Sequence, residues 1–135
     1  MSNIDRVVPL LVYEDLAAAH DFLVEAFGFE PGGISRDNEG RATHAEVRAG
    51  NTPIWLHRVA EEHEVGSPRR VGVASSGLVV LVDDVDEHFK RAVAAGARVD
   101  NEPVDRPYGQ REYGARDLEG HRWWFATLLA QPQPT

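Results

Sequence analysis

The residues of this chain best suited to chemistry lie in four short strand-like stretches. "HAEVRAG" sets His44, Glu46 and Arg48 at alternate positions, so an extended chain carries all three on one face. His57 follows in "TPIWLHRV". Two imidazoles facing one space could move a proton on a bound molecule, because histidine changes charge near neutral pH. Ala45 and Val47 read as a packed side of the same stretch, which leaves open the face it presents. "YGQREYGARD" puts Gln110, Glu112 and Gly114 on one face and Tyr113 and Ala115 on the other. A buried Glu112 would serve as a general base or as the anchor of an amine. A rim ion pair of Glu112 with Arg111 or Arg116 is the plain structural alternative. In "DLEGHRWWFAT" a turn at Gly120 precedes Trp123, Trp124 and Phe125. Alternation pairs Trp124 with Ala126 and sends Trp123 and Phe125 to the opposite side as core. Trp124 then either plugs space or walls a binding site. His20, His63, His88 and His121 fall on helix surface, linker or turn and read as structural.

Positioning these residues takes a repeated unit. "RVVPLLVY" (6–13) is a β-type run, and "EDLAAAHDFLVEAFG" (14–28) is a helix capped by Asp15 and ended by Gly28. Its packed face is Leu16, Ala19, Leu23, Ala26 and Phe27. "SGLVVLVDDVDEHFKRAVAAG" (76–96) repeats the plan: a β-type run, a cap at Asp84 or Asp86, a face of Val85, Phe89, Ala92 and Val93, and a stop at Gly96. Asp15 and Asp84 are 69 residues apart, and Gly28 and Gly96 are 68 apart. Strand-then-helix at nearly fixed spacing indicates an internal duplication. Three further strands complete each half, roughly 29–36, 41–49 and 53–60, then 97–104, 110–117 and 121–129. The order is βαβββ twice: one domain, 1–135, with a first module at about 5–60, a linker at 61–75 and a second module at 76–130. The linker carries the basic run "SPRRVG", and the tail "QPQPT" reads as frayed.

A duplicated βαβββ unit with "DLEGHRW" before its last strand resembles the vicinal oxygen chelate superfamily. That group includes glyoxalase I, fosfomycin-resistance enzymes, extradiol dioxygenases and bleomycin-binding proteins. "VPLLVYEDLAAAHDFLVEAFGFE", "GNTPIWLHRV", "LVVLVDDVDEHFKRAVAAGA" and "YGQREYGARDLEGHRWWFAT" carry the resemblance over about residues 5–130. It implies an α+β fold of two modules whose mixed sheets form a cupped, half-open barrel, with a helix packed outside each module. It also implies four metal-ligand positions, which fall here on Val8, Trp55, Gly77 and Trp124. Positions 8 and 77, and 55 and 124, are each 69 apart, in step with the duplication. Divalent ions take carboxylate or imidazole donors at about 2.0–2.6 Å. Val and Gly offer none, and an indole N–H only donates. A one-residue slip would bring Leu56 or His57 to the fourth-strand position, and a displaced set of His44, Glu46, His57 and Glu112 would be the remaining donors. The expectation is a chain with no metal and no cofactor.

The remaining bounds are broad. The sequence has 135 residues, no cysteine and a formal charge of −8, so neither a thiolate site nor non-specific nucleic-acid binding is expected. No apolar run reaches spanning length and no signal-like stretch opens the chain; a soluble, cytoplasmic protein is expected. The resemblance points to a small-molecule binding protein of the bleomycin-resistance type, a homodimer with no nucleic-acid or membrane partner. Its ligand would be a flat or aromatic natural product held by Trp55 and Trp124, with Gln110, Glu112, His44 and His57 as further contacts. The alternative is a cofactor-free isomerase, lyase or cyclase using Glu112 with His57 or His44. A metal-dependent lyase or dioxygenase is disfavoured by the ligand count.

Overall fold

A computed structural model describes residues 3–130; the "QPQPT" tail lies outside them. The first half runs β1 (Leu10–Tyr13), α1 (Leu16–Phe27), β2 (Glu30–Arg36), β3 (Ala42–Ala49) and β4 (Thr52–Arg58). The linker holds a 3-10 turn (Glu61–His63) and a short helix, α2 (Pro68–Val71). The second half runs β5 (Gly77–Leu81), α3 (Val85–Ala94), β6 (Arg98–Val99), β7 (Val104–Arg106), β8 (Gln110–Arg116) and β9 (Arg122–Leu128). One sheet has the order β1-β4-β3-β2. The other has β5-β9-β8-β6, with β7 also on β8. In both, the first strand runs parallel to the last and the other pairs are antiparallel. The chain is therefore α+β with two mixed sheets, as the resemblance implies.

Local chemistry sets the element ends. Asp15 caps α1 by accepting from Ala18 N, and Gly28 closes it in the left-handed region at φ 79°, which costs glycine no Cβ clash. Asp84, not Asp86, caps α3 by accepting from Glu87 N. The first strand begins at Leu10 rather than at residue 6, because Pro9 has no N–H to give a ladder. The expected strand at 97–104 breaks into β6 and β7. Between them Asn101 Oδ1 takes the N–H of Gly114 at 3.2 Å, replacing a backbone bond. On α3, Val85 and Ala92 are buried, but Val93, expected on the packed face, is 46% exposed. It lies one residue past the buried line, about 100° around a helix.

Both sheets turn their helix-bearing faces to one core. Phe27 meets Trp123 and Phe125 at centroid distances of 5.7 and 4.8 Å, and Phe29 meets Trp123 at 5.3 Å. His20 and His88, read from sequence as surface residues, belong to this interior: His20 is buried and His88 half-buried. His88 Nε2 faces the Phe27 carbonyl at 2.7 Å, so it carries the hydrogen, and Nδ1 accepts from Tyr113 Oη at 2.6 Å. Burial holds the His88 pKa below its ordinary value.

Two buried acids clip the halves together. Asp117, 2% exposed, accepts from the Tyr13 hydroxyl, from Trp123 Nε1 at 3.0 Å and from the N–H groups of Glu119 and His121. Burial and the Asp117 charge push the Tyr13 pKa well up. Glu119 accepts from Glu14 N, Asp15 N and Ser67 Oγ at 2.7, 2.8 and 2.5 Å. The acids of the "DLEG" turn thus bind the second sheet to β1, to the start of α1 and to the linker.

Candidate functional site

Because the helix-bearing faces share the core, the other face of each sheet is open. On the first sheet, register places Leu10, Trp55, His57, His44 and Glu46 side by side on the open face. This settles the face of β3: Ala45 and Val47 are buried, and His44 and Glu46 look outward. A cavity of about 730 Å³ lies over them, lined by first-module residues alone, including Gly32, Ile34, His44, Glu46, Trp55 and His57. Trp55 is 48% exposed, and its Nε1 donates to Glu46 Oε1 at 3.0 Å. Glu46 Oε2 is 3.8 Å from Arg48. His44 and His57 meet edge to face, with ring centroids 4.7 Å apart. His57 Nδ1 lies 2.6 Å from the Arg58 carbonyl.

On the second sheet the open face carries Gln110, Glu112, Gly114, Arg122 and Trp124, as alternation requires. Trp123 and Phe125 are fully buried on the other side. Trp124 does not stand up like Trp55. A Cβ on Gly77 would sit 2.3 Å from Trp124 Cζ3, and one on Gly114 would sit 3.1 Å from Trp124 Nε1. The indole therefore lies across the sheet on two glycines. Above it Arg122 holds its guanidinium 5.0 Å from the ring centroid and is anchored by Asp100 at 2.7 Å. Glu112 is 7% exposed and accepts at Oε1 from Tyr108 Oη at 2.6 Å and Gln110 Nε2 at 2.8 Å. That bond raises the Tyr108 pKa. The ion partner of Glu112 is Arg106, at 3.7 Å, not Arg111 or Arg116. Arg111 pairs with Asp86 and Asp105, and Arg116 with Asp100.

The predicted residues thus form two groups rather than one. His44, Trp55 and His57 meet on the first face, and Gln110, Glu112 and Trp124 on the second. Within one chain the two indoles point away from the shared core on different sheets. Tyr108, Arg106 and Arg122 were not singled out from sequence. The "RPYG" turn, with Tyr108 four residues before Glu112, was the available signal.

The four inherited metal positions do not fit an ion. Val8 precedes β1, Trp55 spends its only polar atom on Glu46, and the space beside Gly77 is filled by the Trp124 indole. The register places Trp55, not Leu56 or His57, beside Leu10 of β1. Among the described residues no three His, Cys, Asp or Glu side chains gather closely enough to hold a metal.

Two like mixed sheets share one core, and each carries a tryptophan on the face turned away from it, with a cavity over the first. The chain belongs to the Glyoxalase/Bleomycin resistance protein/Dioxygenase superfamily, whose sequence profile matches residues 3–125. It is 32% identical over 127 residues to an uncharacterized protein of Mycobacterium tuberculosis (strain H37Rv), covering 92% of this chain and 72% of that one. It is also 32% identical over 106 residues to the anthracycline biosynthesis protein DauV of Streptomyces sp. (strain C5), covering 75% of this chain and 34% of DauV. Among solved structures, TioX from Micromonospora sp. ML1 superposes with a TM-score of 0.76 at 36% identity, covering 93% of this chain and 99% of TioX. No helix among the described residues is long and apolar enough to cross a membrane.

Proposed function

We propose that this chain is a cytoplasmic binding protein that captures a flat, aromatic natural product stoichiometrically, in the manner of an antibiotic-resistance protein, and needs no metal to do so. The observation that carries this reading is the cavity over the first face, where a half-exposed indole and two imidazoles line a space of about 730 Å³. Cavities of this size suit ligands of a few fused rings. The likeness to an anthracycline biosynthesis protein supports a natural-product setting. The donor chemistry at Val8, Trp55, Gly77 and Trp124 supports binding without a metal.

The working unit in this proposal is a homodimer, in which the first face of one copy closes on the second face of the other. Exposed apolar side chains along both free edge strands, Leu10 on β1 and Val79 and Leu81 on β5, support such a contact. Tryptophan-fluorescence titration with a panel of flat natural products, run beside sedimentation of the free protein, tests the reading. Saturable quenching at one ligand per chain in a dimer is expected; a monomer that binds no member of the panel would overturn it.

A second reading, a cofactor-free isomerase, lyase or cyclase, draws on His57, whose Nε2 is open to a substrate proton. Its other member, Glu112, lies on the second face, so a second copy would have to bring the two together. Turnover that is lost in Glu112→Gln with binding intact would favour it.

A further inference from the structure

We infer that the cavity over the first face selects planar aromatic molecules that donate a hydrogen bond, with His57 Nε2 as the acceptor. This rests on the binding function proposed above and narrows its ligand class to phenols and similar neutral donors. A carbonyl oxygen can only accept, so the 2.6 Å contact between His57 Nδ1 and the Arg58 carbonyl requires the hydrogen on Nδ1. In the neutral ring the lone pair then sits on Nε2, which has no partner among the described residues. Edge-to-face contact with His44 at 4.7 Å holds the ring in place.

The polar groups of Trp55 and Glu46 point the same way. The indole N–H of Trp55, which could have donated to a ligand carbonyl, is spent on Glu46 Oε1 at 3.0 Å. Glu46 contributes a carboxylate, an acceptor that repels anions, with Arg48 no nearer than 3.8 Å. Beside His44 and Ser35, whose side chains can donate or accept, what remains free is an indole face for stacking, an acceptor nitrogen and a nearby negative charge. A flat ring with a hydroxyl satisfies all three. Its methyl ether loses the hydrogen bond, and the corresponding carboxylate meets Glu46 and has no proton to offer His57.

Three probes of one shape test this: 2-naphthol, its methyl ether and 2-naphthoate, titrated at neutral pH. The naphthol should bind roughly tenfold tighter than the ether, the factor a single unmade hydrogen bond is worth, and the naphthoate should be the weakest. In His57→Phe, which keeps a ring beside His44, naphthol affinity should fall to that of the ether while the ether is unchanged. In His57→Gln, whose amide oxygen is again an acceptor, part of the preference should return; this variant also decides the matter if the Phe variant fails to fold. Equal binding of naphthol and ether to the natural protein, or a preference that survives in His57→Phe, would overturn the inference and leave the binding function standing. No saturable binding of any probe would overturn both.

Discussion

The two open faces carry a tryptophan at equivalent places of the duplication and put it to different uses. On the first face Trp55 is half-exposed, with its N–H tied to Glu46 and its ring available. On the second face Trp124 lies on Gly77 and Gly114 and under Arg122, so both sides of the ring are occupied. Position in the repeat fixes which way an indole points; its neighbours fix whether anything else can touch it. Equivalent places of one duplication thus leave an aromatic ring half-exposed on one sheet and packed on the other.

Substitutions separate the roles of the two faces. The largest effect should spare the distinction altogether. Asp117→Ala leaves the Tyr13 hydroxyl, the Trp123 N–H and two backbone N–H groups without their acceptor, in the frame that holds both sheets. It should cost roughly 3 kcal/mol or more in denaturant unfolding. A loss under about 1 kcal/mol would mean the clip does not join the halves. Next in size, Gly77→Ala would place a methyl 2.3 Å from Trp124, and displacing a packed indole should cost about 2 kcal/mol. Its tryptophan emission should shift as Trp124 lifts, and an unchanged spectrum with unchanged stability would show that the ring is free to move.

The direct comparison comes third. Trp124→Ala should destabilise by about 1–3 kcal/mol through the void it leaves, while Trp55→Ala should cost less than about 1 kcal/mol. Binding of 2-naphthol should invert that order, weakening at least severalfold in Trp55→Ala and little in Trp124→Ala. Equal effects of the two on binding would erase the difference between the faces. The smallest effect is one of pH. The folded pKa of His88 is depressed by burial, so its contribution is fully present above the unfolded value of about 6.5. Stability should then fall as pH drops from there toward the folded pKa, because the unfolded chain binds the proton more readily. His88→Gln should flatten that limb in unfolding curves measured between neutral and mildly acid pH, with neither face affected.

Much of this was legible because strand alternation is local. The burial of Trp123 and Phe125, the opposite orientation of Trp124 and the shared face of Gln110, Glu112 and Gly114 all follow from a period of two. The caps at Asp15 and Asp84 follow from the same local chemistry. The expected pairing of Glu112 with Arg111 failed on the same rule, since adjacent strand residues point to opposite faces. Arg106 was not legible, because it reaches Glu112 across the β7–β8 pairing, and register between strands is set by the whole sheet. Asp117 read as a turn residue; its second task, receiving Tyr13 from 104 positions away, is written in no local pattern. The division of the candidate residues between two faces was hidden for the same reason. It depends on the two sheets packing back to back on one core.

Gly77 and Trp124 also constrain where mutation can take this protein. A histidine at 77 would enter space the indole already fills, and a glutamate at 124 would leave a void over two glycines with nothing to coordinate. Each change alone should lower stability, and neither alone creates affinity for an ion. No single substitution at these two positions therefore builds a metal centre on this sheet. The pair is coupled in the sense of a double-mutant cycle: enlarging Gly77 should cost far less once Trp124 has been cut back, because the two compete for one volume.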